Sequence, residues 1–373
     1  MRTKNLVGRL ADGTLTRRDV NKMLAGTGLS MVMVPSLARR AQAAGEITFF
    51  GWAGYDDENL HKSYIEKYGG LPNFIFWGGE EEAFQKMYTG GFTPDVMFPC
   101  TISIARWQDA GLLRPLDPAR LENIDDMFES LKNIEDSIID GQRYFMPMDW
   151  GNSTVIYRTD LVDPEYNMEN SWKILYDERY AGRLAVYDFA QGVIGVAALT
   201  LGYDNIWSLT DEQLAEVRKV ISKQRDLLRF YWSDSTEVDQ ALASGEIVAA
   251  YGWNESYVRL KAEGVPVGMM VPKEGIITWC CGFVIHADTK NETAAYDLIN
   301  GMTSPETGAY EIANWGYGVA NKKAFDLVTP QTLKELGLST PDALLNAGIF
   351  LAALDPEIEE KYARLYAEVR AGA

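Results

Sequence analysis

Two histidines, His61 and His286, and three cysteines, Cys100, Cys280 and Cys281, are all that 373 residues offer of the side chains from which most metal sites and nucleophilic enzymes are built. Multi-histidine centres and Ser-His-Asp chemistry have almost nothing to work with. Three cysteines make no disulfide framework, and the adjacent pair is badly placed to bridge to itself. Nothing pairs either histidine with a thiol, which argues against cysteine catalysis. No G-x-x-x-x-G-K-[ST], G-x-S-x-G or H-E-x-x-H occurs, and Gly192-Val193-Ile194-Gly195 lacks the third glycine of a dinucleotide fingerprint. Bases are scarce: 35 against 53 acids give a net charge of −18, which argues against nucleic acid and leaves cations as partners. There is no fixed-period repeat, low-complexity tract or Gly/Ser-rich linker. The apolar run Met23 to Leu37 is broken by Gly26, Gly28, Ser30 and Pro35, and falls short of the ~20 residues a membrane span needs.

What is present begins with an export signal. Thr16-Arg17-Arg18-Asp19-Val20-Asn21-Lys22 precedes that modest apolar run, and Arg39-Arg40 leads into Ala41-Gln42-Ala43. A basic region, an apolar region and an A-x-A site make a secretory signal, and the paired arginines resemble the twin-arginine type. Residues 1–43 are therefore read as a removable leader. Cleavage after Ala43 leaves 330 residues with 51 acids and 27 bases, a net −24. The product enters an oxidising compartment, where a long-range disulfide from Cys100 to Cys280 or Cys281 is open to it. No cysteine follows the cleavage site closely, which argues against a lipid anchor.

At 47% apolar and 24% charged residues the chain is ordinary globular protein, long enough for two or three domains. Its first part alternates by period: strand Ile47–Phe50, helix Asp57–Tyr68, strand Asn73–Phe76, helix Glu81–Tyr88, strand Asp95–Phe98, helix Ile102–Ala110. That alternation predicts a mostly parallel sheet with helices on its faces. Further strands are expected at Ser153–Tyr157, Arg183–Tyr187, Ile247–Tyr251, Val267–Val271 and Gly282–His286. Further helices are expected at Asp211–Phe230, Ser256–Ala262, Thr293–Met302 and Asp355–Val369. With no linker, the chain is expected to cross between two α/β lobes on structured strands, with ligand in the crevice at the strand ends.

Aromatic and small polar residues collect at those ends: Trp52 and Tyr55, Cys100 and Thr101, Asp149 and Trp150, Asp188, Trp253 and Glu255, Trp279 and Cys281, and Tyr317. Indole and phenol faces beside carboxylates suit an ammonium group, because the ring quadrupole attracts the cation and the acids neutralise it. The runs Asp56-Asp57-Glu58 and Glu80-Glu81-Glu82 stand at helix starts, where carboxylates suit the macrodipole, and are read as solvated caps.

The segments Phe49-Phe50-Gly51-Trp52-Ala53-Gly54-Tyr55, Pro94-Asp95-Val96-Met97-Phe98-Pro99-Cys100-Thr101, Met146-Pro147-Met148-Asp149-Trp150-Gly151, Tyr251-Gly252-Trp253-Asn254, Val271-Pro272-Lys273-Glu274-Gly275 and Trp315-Gly316-Tyr317-Gly318 occur in this order behind an export signal. Together they resemble bacterial ABC-transporter substrate-binding proteins of the spermidine/putrescine type, over about residues 46 to 371. The resemblance implies a type II periplasmic-binding-protein fold, α/β, with two lobes (44–152 plus 282–325, and 153–281 plus 326–373) closing on a ligand. It implies a monomeric, non-enzymatic periplasmic receptor without cofactor or metal, which hands a polyamine or related small organic cation to a membrane permease. The family's aromatic box would map onto Trp52, Tyr55, Trp253, Trp279 and Tyr317, and its small polar contact onto Cys100 or Thr101. Its amine-binding acids would fall on Phe189, Gly192 and Cys281, none of which is an acid. Asp149, Asp188 or Glu255 would then have to take over, or the ligand would be a quaternary or singly charged amine that needs rings more than hydrogen bonds. An anionic ligand would look to Arg158 and Arg183. An exported enzyme on the same scaffold would need a converging base and nucleophile, and the sequence offers no convincing pair.

Overall fold

The structure, a computed structural model, describes residues 47–372; the expected leader and its cleavage site lie outside them. Strand β1 (Thr48–Gly51) carries the consecutive aromatics Phe49 and Phe50, and both are buried, one on each face. A strand buried on both faces belongs inside a helix-covered sheet. It lies parallel between β2 (Asn73–Phe76) and β3 (Val96–Met97). The connections are a 3-10 turn running into α1 (Lys62–Tyr68), and α2 (Glu80–Tyr88). After β3 come α3 (Ile104–Asp109) and the short β4 (Leu113–Arg114).

Two long strands then form the middle of the molecule. β5 (Met146–Arg158) is buried along its length except at Arg158. β6 (Leu184–Tyr187), β7 (Leu228–Trp232), β8 (Ala249–Trp253) and β9 (Val267–Met269) follow, before β10 (Ile277–His286), which is wholly buried. The sheet runs β2-β1-β3-β10-β5-β8-β6-β7, parallel around β1 and around β6 as the alternation predicts, but antiparallel through the middle. A two-residue strand β11 (Gly318–Val319) pairs with β5, and β12 (Ile349–Phe350) with β10. β10 pairs with β5 from Ile277 to Phe283, with a register shift between Cys281 and Gly282, and its last residues, Val284 to His286, pair with β3 and β4. One strand thus serves both halves of the sheet.

The helices that flank the second half are α4 (Ala190–Leu201), α5 (Asp211–Leu227), α6 (Ser235–Ser244) and α7 (Asn254–Ala262). α8 (Glu292–Met302), α9 (Pro305–Trp315) and α10 (Pro356–Ala371) follow, and shorter helices lie at Glu129–Lys132, Pro164–Met168, Pro330–Glu335 and Pro341–Ala347. The expected helix from Asp211 to Phe230 is corrected: it stops at Leu227 and the chain goes straight into β7. α9 starts as its sequence dictates. Ser304 caps it by accepting from the Thr307 N–H, and Pro305 sits where no backbone donor is needed. It ends on Gly316 in the left-handed region (φ 70°), which turns the chain so that Trp315 and Tyr317 end up beside each other.

Cys100, just after β3, is disulfide-bonded to Cys281 at the register shift of β10, 181 residues away. Cys280, one residue earlier, is a free, buried thiol. Closing a loop of this length removes unfolded-state entropy worth about 5 kcal/mol in the chain-entropy account. Replacing Cys100 and Cys281 by serine should lower the melting temperature by roughly 5 °C or more. Peptide mapping should find 100 linked to 281 in the native protein, with Cys280 alkylated only after unfolding.

Candidate ligand-binding site

The loop after β1 turns at Gly54, whose φ of 97° few other residues tolerate. His61 anchors it through an Nε2 contact of 2.7 Å with the Tyr55 carbonyl; burial lowers this imidazole's pKa and keeps it neutral. The Tyr55 ring is thereby fixed against Phe98 at 4.5 Å and edge-on to Trp315 at 5.1 Å. Trp315 meets Tyr317 at 6.0 Å, and Tyr317 meets Trp279 at 4.7 Å, both edge to face. The Trp279 ring lies over Gly151 of β5; a Cβ there would come within 2.3 Å of it, so only glycine leaves room. A second cluster lies on β6, β7 and β8, where Tyr187 packs on Trp253 at 4.9 Å and Trp253 on Trp232 at 5.0 Å. Trp52 stands edge-on to Trp77 at 5.7 Å.

Carboxyl groups are bonded to two of these rings. Asp149, fully buried on β5, accepts a hydrogen bond from the Tyr55 hydroxyl. Glu311, fully buried on α9, meets Asp149 carboxyl to carboxyl. Burial pushes the Asp149 carboxyl up to about 7 and Glu311 well above the usual range, and the charge of Asp149 raises Glu311 further. Glu255 accepts from the Tyr317 hydroxyl and pairs with Arg259 at 3.2 Å; Arg259 also binds Asp239 at 2.7 Å. Glu80 accepts from the Cys100 N–H at 2.6 Å and from the Ser103 hydroxyl, and its charge reaches Tyr187 of β6. Burial raises Glu80 to about 7. The Nε1 of Trp52, the Nε1 of Trp279 and the Thr101 hydroxyl are buried without a hydrogen-bond partner.

Several expected site residues stand elsewhere or are otherwise engaged. Trp150 is fully buried, its Nε1 donates to the Val319 carbonyl at 3.2 Å, and its ring occupies the space beside Gly318. Asp188 is engaged by Arg370 of α10, which forms an ion pair with it, and by Tyr366, which donates to it at 2.7 Å. Cys100 and Cys281 spend their sulfurs on each other. Arg158 binds Asp160 and the carbonyls of Leu242 and Ala243, and Arg183 binds the Gly245 carbonyl, so both anion candidates are committed to holding one loop. Phe189 and Gly192 form one packed unit: a Cβ on Gly192 would meet the Phe189 ring and the Tyr251 hydroxyl, each at 2.9 Å. Glu80 and Glu311 are the residues that sequence reasoning missed. Glu80 does open a helix, but its carboxylate turns inward to Cys100 and Ser103.

Among the described residues no group of three His, Cys, Asp or Glu side chains is placed to hold a metal, and no helix is long and apolar enough to cross a membrane. A concavity of about 540 Å³ lies away from the rings, lined by Lys62, Lys67, Glu122 and Asp297 among other polar residues, and none of the aromatic box lines it.

An acid raised on folding adds stability below its unfolded pKa and loses it as pH climbs through the folded value. For Asp149 that window runs from about 4 to about 7. Asp149→Asn, which mimics the protonated form, should therefore melt roughly 2–4 °C above wild type near pH 8. The difference should shrink towards zero near pH 4, as differential scanning calorimetry would show.

The bacterial extracellular solute-binding protein family matches residues 74–337. The putrescine-binding periplasmic protein PotF of Escherichia coli K12 is 24% identical over 366 residues, covering 94% of this chain and 98% of that one. The spermidine/putrescine-binding periplasmic protein of the same organism is 25% identical over 325 residues, covering 86% and 89%. A solved structure from Listeria monocytogenes, described as a putative spermidine/putrescine ABC transporter, superposes with a TM-score of 0.76 at 22% identity, covering 88% of this chain and 99% of its own. The fold is the α/β periplasmic-binding-protein fold, and the chain belongs to the bacterial extracellular solute-binding proteins, the non-enzymatic receptors of ABC importers.

Proposed function

We propose that this receptor binds a small organic amine, of the polyamine class or a close relative, among Trp52, Tyr55, Trp253, Trp279 and Tyr317. One observation carries the reading: Asp149 and Glu255 accept from Tyr55 and Tyr317 of this set, Glu311 lies against Asp149, and the nearby arginine, Arg259, is already spent on Asp239 and Glu255. Excess buried acid beside ring faces favours a cation over an anion. The relatives named above, two of them polyamine-binding by name, support the same class. Residues 44–152 with 282–325, and 153–281 with 326–373, act in this reading as the two closing lobes, and the shared strand β10 carries the crossing.

The unpartnered donors of Trp52, Trp279 and Thr101 favour a second reading, in which the ligand also carries an acceptor, as an ω-amino acid or acylated amine does. A thermal-shift panel separates the two. Putrescine, spermidine, choline, 4-aminobutanoate and small organic anions would each be added at high excess. Saturation at a hundred times the dissociation constant adds about 2.7 kcal/mol, a rise of a few degrees. A response to the first three supports the amine class, and a response to 4-aminobutanoate alone supports the second reading. A response to anions without an ammonium would refute both. With whichever amine binds, Trp279→Ala should weaken affinity by roughly 10- to 100-fold, the worth of a desolvated cation–ring contact.

Arg17 and Arg18 direct export by the twin-arginine route in this proposal, ahead of a cut after Ala43. Changing both to lysine should leave the uncleaved precursor in the cytoplasm, as a fractionation blot would reveal. Normal processing of that variant would assign the leader to the general secretory route.

A further inference from the structure

Asp149 and Glu311 share a condition that no other pair of acids in the site shares. Both are completely buried and touching, yet Asp149 Oδ1 and both carboxyl oxygens of Glu311 meet no donor from the protein. The Tyr55 hydroxyl serves the remaining oxygen, Asp149 Oδ2. Two touching carboxylates without a counter-ion cannot both stay ionised out of water, so a proton between them supplies the missing donor.

Groups facing the pair do not relieve it. Across the sheet stand the acid Glu255, the phenols Tyr55 and Tyr317 and the thiol of Cys280. Of the bases on elements packed against α9, Arg259 is committed to Asp239 and Glu255, Lys323 to Asp126, and Lys261 stands over the Tyr257 ring. Lys322 lies beside Asp125, and His61 is neutral and bonded to the Tyr55 carbonyl. Of the acids there, Asp57 accepts from Tyr310, and Asp297 is paired with Lys67.

Register adds a second observation. Asp149 lies directly opposite Cys281 in the β5–β10 ladder, so a carboxyl stands across the strand pair from a position whose own side chain is tied up in a disulfide. The ring line Tyr55–Trp315–Tyr317–Trp279 begins at the residue that donates to Asp149.

We propose that the Asp149–Glu311 pair receives a primary ammonium group of the ligand, in exchange for the single proton that the two carboxyls share when the site is empty. The stoichiometry is simple. A pair of charge −1 and an alkylammonium of charge +1 become two carboxylates holding the ammonium, and one proton leaves to solvent. Three acceptor oxygens lack donors, and a primary ammonium carries three N–H donors, so the exchange satisfies each of them. A quaternary ammonium has no N–H and leaves the proton where it is. The inference rests on the amine reading above and narrows it to primary amines. It also makes ligand capture sensitive to pH: affinity should climb by up to tenfold per unit for as long as the empty pair still holds the proton it exchanges.

Isothermal titration of the exported protein tests it, with putrescine, 4-aminobutanoate and choline as probes, in two buffers of very different ionisation enthalpy near pH 7. The buffer dependence of the heat counts protons. The expected result is between about half and one proton released per primary amine bound, and none with choline. Glu311→Gln should abolish the release and flatten the pH profile, and Asp149→Asn should do the same if the glutamine variant does not fold. A primary amine that binds wild type without releasing a proton overturns the exchange and leaves the amine reading intact. Binding of choline alone also overturns it. Absence of heat with every probe overturns the amine reading, and the exchange with it.

Discussion

The pairing of β5 with β10 is the constraint on which the rest of the molecule depends. Both strands are long and buried on both faces, so their ladder cannot be exchanged for water without exposing apolar surface on two sides. Because β10 shifts register on β5 at Cys281/Gly282 and from Val284 onward pairs with β3 and β4, the same strand fixes the position of each half of the sheet. The disulfide to Cys100 ties the end of β3 to that point. Much of what is proposed to touch the ligand is then placed by a short reach from this ladder: Asp149, Gly151 and Trp279 lie on it, Tyr317 comes just before the strand that pairs with it, and Tyr55 bonds to it.

Charge distribution follows the same geometry. Most acids are solvated or paired, as with Asp188 and Arg370, or Asp239 and Arg259. A few are drawn into the ring-lined interior, where burial raises their proton affinity. An interior with surplus acid and aromatic faces is poorly suited to being empty and well suited to a desolvated cation. Family membership gives the receptor role; the acids give the reason to expect an amine.

Much of the fold could be read from the chain. β1, β2 and β3 and the helices between them follow from short apolar runs and acidic helix starts, and the ends found differ by a residue or two from those expected, except that the first turn of the helix expected from Asp57 is a 3-10 turn, Glu58–His61, ahead of α1. α4 escaped because its residues are buried nearly all round and include Gly192 and Gly195, so no polar stripe marks it as a helix. β7 escaped because Leu228 to Trp232 continues the apolar spacing of α5 without a glycine or proline to break it. In the site, the rings announced themselves by type and position, whereas two of the four acids did not. Glu80 carries the signature of a helix start and still turns inward. Glu311 sits mid-helix with no local motif, and its meaning comes only from the packing of α9 against β5, a contact between residues 162 positions apart that no local pattern encodes.

A crystal structure of the receptor grown with an amine that binds it would test the central claim most directly. The account predicts the ligand among Trp52, Tyr55, Trp253, Trp279 and Tyr317, with a cationic nitrogen within about 6 Å of a ring centroid and a carboxyl of the site in hydrogen-bond reach. A ligand seated in the polar concavity beside Lys62 and Asp297, or an anion held by arginines, would contradict it.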